Sequence, residues 1–131
     1  MMSSPSPNDR RLRFGLVASA TTAHDSLATG LTATLGQPCD LVPSGSYRAL
    51  VEALREKQVD LAWLPPLAYL RAEDVGAAHL VTTMERGGSP TFGCAFLGRE
   101  GQVDSMRDLV GKRVAWTDPW SASGYVVPRT L

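Results

Sequence analysis

The residues from Ser46 to Leu64, SYRALVEALREKQVDLAWL, limit the possible fold more than any other stretch. Tyr47, Leu50, Val51 and Leu54 recur at helical spacing, with Arg48, Glu52, Arg55 and Glu56 on the other side, so Tyr47 to Lys57 reads as an amphipathic helix. Ser44 or Ser46 can cap its start. Val59 to Leu64 is then a nearly unbroken apolar run, the pattern of a central parallel strand covered on both faces. A helix that must lie on a sheet, beside a strand that needs cover on both sides, calls for α/β layers.

The flanking segments repeat the alternation. Arg13 to Ala18 reads as a first strand, followed by a small-residue turn, Ser19 to Thr22. Leu27, Leu31 and Leu35 then share one helical face, and Gly36 should end that helix. Cys39 to Val42 is a second strand. Pro65 and Pro66 stop the run that began at Val59, and Pro66 suits the first turn of a short helix through Tyr69 to Glu73. Strands are also expected at Leu80 to Thr83, Thr91 to Leu97 and Arg113 to Trp116. A turn at Gly87 to Pro90 and a short helix over Ser105 to Val110, capped by Asp104, lie between them.

The 131 residues suffice for one domain with a core but not for two full ones. Thirteen basic residues balance thirteen acidic ones, and no basic run is long enough for a nucleic-acid face. Residues 1–12, rich in Ser and Pro, read as a disordered leader; the sequence as it stands contains no secretory signal core or membrane helix, which implies a cytoplasmic chain. Cys39 and Cys94 lie far apart in strand-like segments and read as buried free thiols. His24 and His79 have no third ligand at metal spacing, so no metal and no cofactor is expected. Neither histidine pairs with a nucleophile in a catalytic pattern, and Asp118 before Pro119 suits turn chemistry, so no enzyme is expected.

The chemistry concentrates in Gly111 to Pro128, GKRVAWTDPWSASGYVVP. A strand running through a hydroxyl-rich loop into a helix presents unsatisfied N–H groups, the Ser121 and Ser123 hydroxyls and the bare backbone of Gly124. Such a loop can hold an anion. The same residues suit a plain N-cap, and the stretch by itself does not separate the two.

From Leu109 to Pro128 the linked pattern L-x-GK-x-VA, then DP-x-S-x-SG-Y and a final Pro resembles the signature of phosphonate-type substrate-binding proteins of ABC transporters, of the type 2 periplasmic-binding-protein fold. The resemblance runs from about Arg13 to the end of the chain and covers about half of the family's length. It implies an α/β first lobe with a mainly parallel sheet over residues 13–90, and a crossing strand with the beginning of a second lobe over residues 91–131. It implies that Ser121, Ser123, Gly124 and Tyr125 hold a small oxyanion such as phosphonate, phosphite or phosphate, with Tyr47, Tyr69, Phe92 and Thr21 as further contacts. Ala122, Ala68 and Phe92 stand where relatives carry a hydroxyl, and Trp120 where a small polar residue is usual.

The expected role is therefore solute binding for ABC-type uptake with a permease as partner, without catalysis or membrane insertion. A cytoplasmic ligand-sensing module of the same fold, and a half-length protein without function or completed by dimerisation, are the alternatives. Open edges on the Arg113 to Trp116 strand favour a homo-oligomer.

Overall fold

A three-stranded parallel sheet in the order β2-β1-β3 is the frame of the first half of the chain. The computed structural model describes residues 10–18 and 24–130. The chain divides into two units, residues 1–80 and 81–131.

In the first unit, β1 (Leu12–Val17) is followed by α1 (His24–Leu35), β2 (Cys39–Ser44), α2 (Tyr47–Arg55), β3 (Leu61–Ala62) and α3 (Pro66–Asp74). The α/β class with a parallel sheet is as expected. β1 pairs with β2 along its whole length, from Leu12 opposite Cys39 to Val17 opposite Ser44, and with β3 only at Phe14–Leu61 and Gly15–Ala62. Among the described residues the apolar run from Val59 is thus an edge strand, and β1 is the central one. Apolar periodicity reports burial, which β3 shares by lying against α2, but not a strand's place in the sheet. Pro43 sits in the other edge strand, opposite Leu16, where a missing amide costs no ladder bond. Of the leader expected over residues 1–12, Arg10 to Leu12 fold with this unit: Arg10 pairs with Asp60, Arg11 pairs with Asp40, and Leu12 opens β1.

Helix boundaries follow local chemistry. Gly36, at φ 68°, ends α1 and donates its N–H to Thr32 O over 3.0 Å. Thr32 Oγ1 accepts from the Cys39 N–H, which ties the end of α1 to the start of β2. Ser46 caps α2, its Oγ accepting from Ala49 N at 3.1 Å. At the other end Lys57 takes the left-handed conformation, φ 58°, and Gln58 N bonds back to Ala53 O at 2.8 Å. This closure stops the helix short of the expected Lys57. The core forms where α2 meets the sheet: Leu50, Ala53 and Val59 are buried, with Val17, Val42, Leu54, Ala62 and Leu64 packed around them.

In the second unit a tight turn joins Arg86 and Ser89 through two backbone bonds, with Gly87 and Gly88 at positive φ, as the sequence suggests. A 3-10 turn spans Met106–Leu109. Ser105, not Asp104, precedes it as the cap, and Asp108 accepts from the Ser105 N–H and hydroxyl and from the Asp104 N–H. A wide turn at Ala122–Val126 runs into a 3-10 turn at Val127–Thr130. The strands expected at Leu80 to Thr83, Thr91 to Leu97 and Arg113 to Trp116 do not form: these segments join no ladder among the described residues. Their apolar, β-branched and aromatic composition favours pairing, but a strand exists only where a neighbour supplies hydrogen bonds.

Candidate functional site

The loop from Trp116 to Tyr125 is shaped by its own polar groups. Asp118 Oδ1 accepts from Trp120 N at 2.7 Å, and Asp118 O accepts from Ser121 N at 2.8 Å, so Asp118 is occupied in folding the turn. Ser121 Oγ then accepts from Gly124 N at 3.1 Å, capping Ala122–Val126. The Ser121 carbonyl takes two donors, Tyr125 N at 3.1 Å and Val126 N at 3.2 Å, which widens the turn. Capping uses a lone pair of the Ser121 hydroxyl and leaves its proton available for donation.

Gly124 is required by packing. Thr117 Oγ1 and Cγ2, together with Ser121 Oγ, fill the space that a Cβ would occupy. The Trp116 ring meets Phe96 on one side, centroids 6.1 Å apart at 76°, and Tyr125 on the other, 5.9 Å at 78°. Both are edge-to-face contacts. Arg129 stacks over the Tyr125 ring at 4.8 Å and donates to its phenol oxygen.

Beside this loop lies a cavity of about 770 Å³ within the second unit. Ser123, Gly124, Thr117 and Trp116 line it, and so do Arg99, Lys112 and Arg113. No carboxylate does. None of the three cations forms an ion pair with a described residue. The cavity is electropositive and carries hydroxyl donors, a combination suited to an anion and without a base or nucleophile pair. Among the described residues there is no cluster of three metal-ligating side chains, and no helix is long and apolar enough to cross a membrane.

The expected contact residues divide between the units. Ser121, Ser123, Gly124 and Tyr125 stand together in the second unit, Ser123 and Gly124 on the cavity wall. Phe92, in the same unit, is exposed, lies outside the cavity lining and stacks under the Arg86 guanidinium at 5.3 Å. Tyr47 and Tyr69 belong to the first unit. Tyr47 is half-buried in the first turn of α2, next to its cap. Tyr69 donates its phenol proton to Glu73, and that bond holds its pKa above the usual tyrosine value. Thr21 lies outside the described residues. Ala68, where relatives carry a hydroxyl, is fully buried on α3, a place where a hydroxyl would need a partner.

Sequence reasoning passed over Thr117, Arg99, Lys112 and Arg113. Thr117 was legible as one more hydroxyl at the end of the expected strand. Lys112 and Arg113 are consecutive in the chain, and the fold brings Arg99 to the same cavity wall.

Comparison with known proteins places the chain in a family. Residues 17–131 match the family described as "ABC transporter, phosphonate, periplasmic substrate-binding protein". The phosphate-import protein PhnD of Mycolicibacterium smegmatis is 31% identical over 111 residues, which cover 81% of this chain and 35% of that protein. The phosphonates-binding periplasmic protein of Escherichia coli is 23% identical across 92% of this chain and 39% of its own length. A binding-protein component of a Pseudomonas aeruginosa ABC phosphonate transporter superposes with a TM-score of 0.65 at 22% identity, over 92% of this chain and 43% of that one. The chain thus spans well under half the length of the relatives it matches. With its parallel α/β unit and the family match over nearly all of its length, the chain belongs to the phosphonate-type periplasmic substrate-binding proteins of ABC transporters.

Proposed function

We propose that the chain takes part in recognising a small oxyanion, of the phosphonate, phosphite or phosphate class, for ABC-type uptake, and that it performs no bond chemistry. The observation that carries this reading is the lining of the second unit's cavity: Ser123 and Thr117 beside Arg99, Lys112 and Arg113, with no carboxylate. A tetrahedral oxyanion offers several acceptor oxygens and negative charge, and hydroxyl donors with unpaired cations answer both. In this reading Ser121 and Ser123 donate to the anion, the Gly124 backbone permits close approach, and Tyr125 backs the loop through Trp116. Tyr47, Tyr69, Phe92 and Thr21 are proposed as further contacts to the bound solute, and an ABC permease as the partner that receives it.

Names of relatives support the chemical class, one being a phosphate-import protein and another a phosphonates-binding protein. Calorimetric titration with phosphate, phosphite, methylphosphonate and sulfate, beside a Ser121→Ala, Ser123→Ala double variant, tests the proposal. Saturable heat from a phosphorus oxyanion that the double variant abolishes is the expected result. Absence of heat with all four anions, or equal heat in the variant, would overturn it.

A further inference from the structure

Beside the two serines of the loop the fold sets a third hydroxyl. Thr117 Oγ1 and Ser121 Oγ both lie against the position that a Cβ on Gly124 would take, so the two oxygens are neighbours over the bare Cα. Thr117 Cγ2 stands 3.0 Å from the same position, and both branches of the side chain therefore face Gly124. Trp116, held between the Phe96 and Tyr125 rings, fixes the backbone just before it. A β-branched side chain packed in this way keeps a single rotamer. No described residue forms a hydrogen bond with the Thr117 hydroxyl. The adjacent Asp118 carboxylate is engaged with Trp120 N and lies off the cavity wall, whereas Thr117 and Ser123 are both on it.

We propose that Thr117 is a specificity-determining residue, whose hydroxyl donates to a third oxygen of the anion that Ser121 and Ser123 hold. The site then selects a terminal group with three oxygens on one tetrahedral centre over an anion with only two. This inference rests on the oxyanion reading and adds to it a residue and a count of donors. Each hydroxyl has one proton to give, so three hydroxyls answer three oxygens. A donor whose rotamer is set before binding gives up little freedom when the ligand arrives, and a bond to a charged acceptor is of the stronger kind. Exposure of Thr117 leaves its hydroxyl open to a solute in the cavity.

The probes are phosphite, with three oxygens on phosphorus, and hypophosphite, with two, titrated calorimetrically into the whole chain at a mildly alkaline pH where phosphite is fully deprotonated. Thr117→Val keeps the branched shape against Gly124 and removes the hydroxyl. It should weaken phosphite by about tenfold or more and hypophosphite by less than about threefold, so that the preference for three oxygens contracts. Thr117→Ser keeps the hydroxyl and should bind phosphite within about threefold of the parent. Hydrogen exchange at the Gly124 amide, which Ser121 Oγ accepts, should be the same in Thr117→Val as in the parent, because the loop itself is intact. An unchanged phosphite affinity in Thr117→Val, an equal loss for both anions, or a Thr117→Ser variant as weak as Thr117→Val overturns the proposal. Heat that the Ser121→Ala, Ser123→Ala variant abolishes and Thr117→Val leaves untouched removes this inference alone and keeps oxyanion recognition. No heat from the parent chain with either anion, or with the four of the earlier titration, removes both.

Discussion

Thr117 occupies the space that a side chain on Gly124 would need: its Oγ1 falls inside van der Waals contact of a Cβ built there, and its Cγ2 stands 3.0 Å away. The contact joins the end of the Arg113 to Thr117 segment to the turn capped by Ser121, so the two hydroxyl-bearing parts of the site share one geometry. Gly124→Ala should force Thr117 or the turn to shift, breaking the Ser121 Oγ bond to Gly124 N and lowering anion affinity by about tenfold or more. Thr117→Ala in the same chain removes both crowding atoms and should restore part of the loss. Titration of the two variants checks this; an undiminished affinity in Gly124→Ala alone would show that the loop does not set the site.

Asp60 is the electrostatic anchor of the first unit. Its carboxylate accepts from Arg13 Nε and Arg13 N, each at 3.0 Å, from Arg13 Nη2 at 2.9 Å and from Arg10 Nη2 at 2.7 Å. The Arg13 bonds, ahead of its charge and that of Arg10, hold the carboxyl far below the usual carboxylate range. A carboxyl with a depressed folded-state pKa stabilises the fold above its unfolded value, about 3.9, and loses that contribution as pH falls below it. Asp60→Asn should cost about 1–3 kcal/mol at neutral pH and flatten the loss of stability between roughly pH 5 and pH 2. Urea unfolding at a series of pH values reads both effects, and parallel pH profiles for the two proteins would contradict the assignment.

The first unit was readable because its signals are local. Ser46 before an amphipathic run, Gly36 after one, and two prolines closing an apolar stretch each specify their own neighbourhood, and the observed elements follow. Strand order was not readable, since Val59 to Leu64 is as apolar as a central strand and lies at the edge. In the second unit the strand signals at Thr91 to Leu97 and Arg113 to Trp116 express a need for partners, and partners are a nonlocal matter. The site was half legible. Ser121 and Ser123 stood in a recognisable loop, whereas the filling of Gly124 by Thr117 and the placing of Arg99 on one cavity with Lys112 and Arg113 arise only in three dimensions.

Gly15, packed beneath α2, and Lys57, just past its end, make a matched pair of tests. Gly15 lies in the middle of β1 beneath the helix, where an added Cβ would collide with Leu50 Cδ1 and stand 3.2 Å from Val59 Cγ1. Leu50 is fully buried and has nowhere to move, so Gly15→Ala should destabilise the unit by about 1–3 kcal/mol. Lys57 is the reverse case, a side-chain-bearing residue at φ 58° where glycine is unstrained. Lys57→Gly should stabilise by up to about 1 kcal/mol, because its carbonyl bond from Arg13 Nη2 does not depend on the side chain. Denaturant midpoints that move in the same direction for the two variants would refute this account of the α2 packing.

The two cysteines were both expected to be buried, and the structure separates them. Cys39 is buried in β2 opposite Leu12, and burial, ahead of the neighbouring Asp40 charge, raises its thiol pKa. Cys94 is exposed on the unpaired segment of the second unit. The thiolate is the reactive form, so Cys39 is protected both by the sheet that covers it and by its protonation. At neutral pH one thiol should react with a maleimide rapidly and the other about 100-fold more slowly or less, since labelling Cys39 requires β2 to open. Cys94→Ser should abolish the rapid phase, and denaturant should bring the two rates together. Comparable rates in the native protein would mean that β2 opens readily, and the β1–β2 ladder would then not be the stable frame on which Tyr47 and α2 are held.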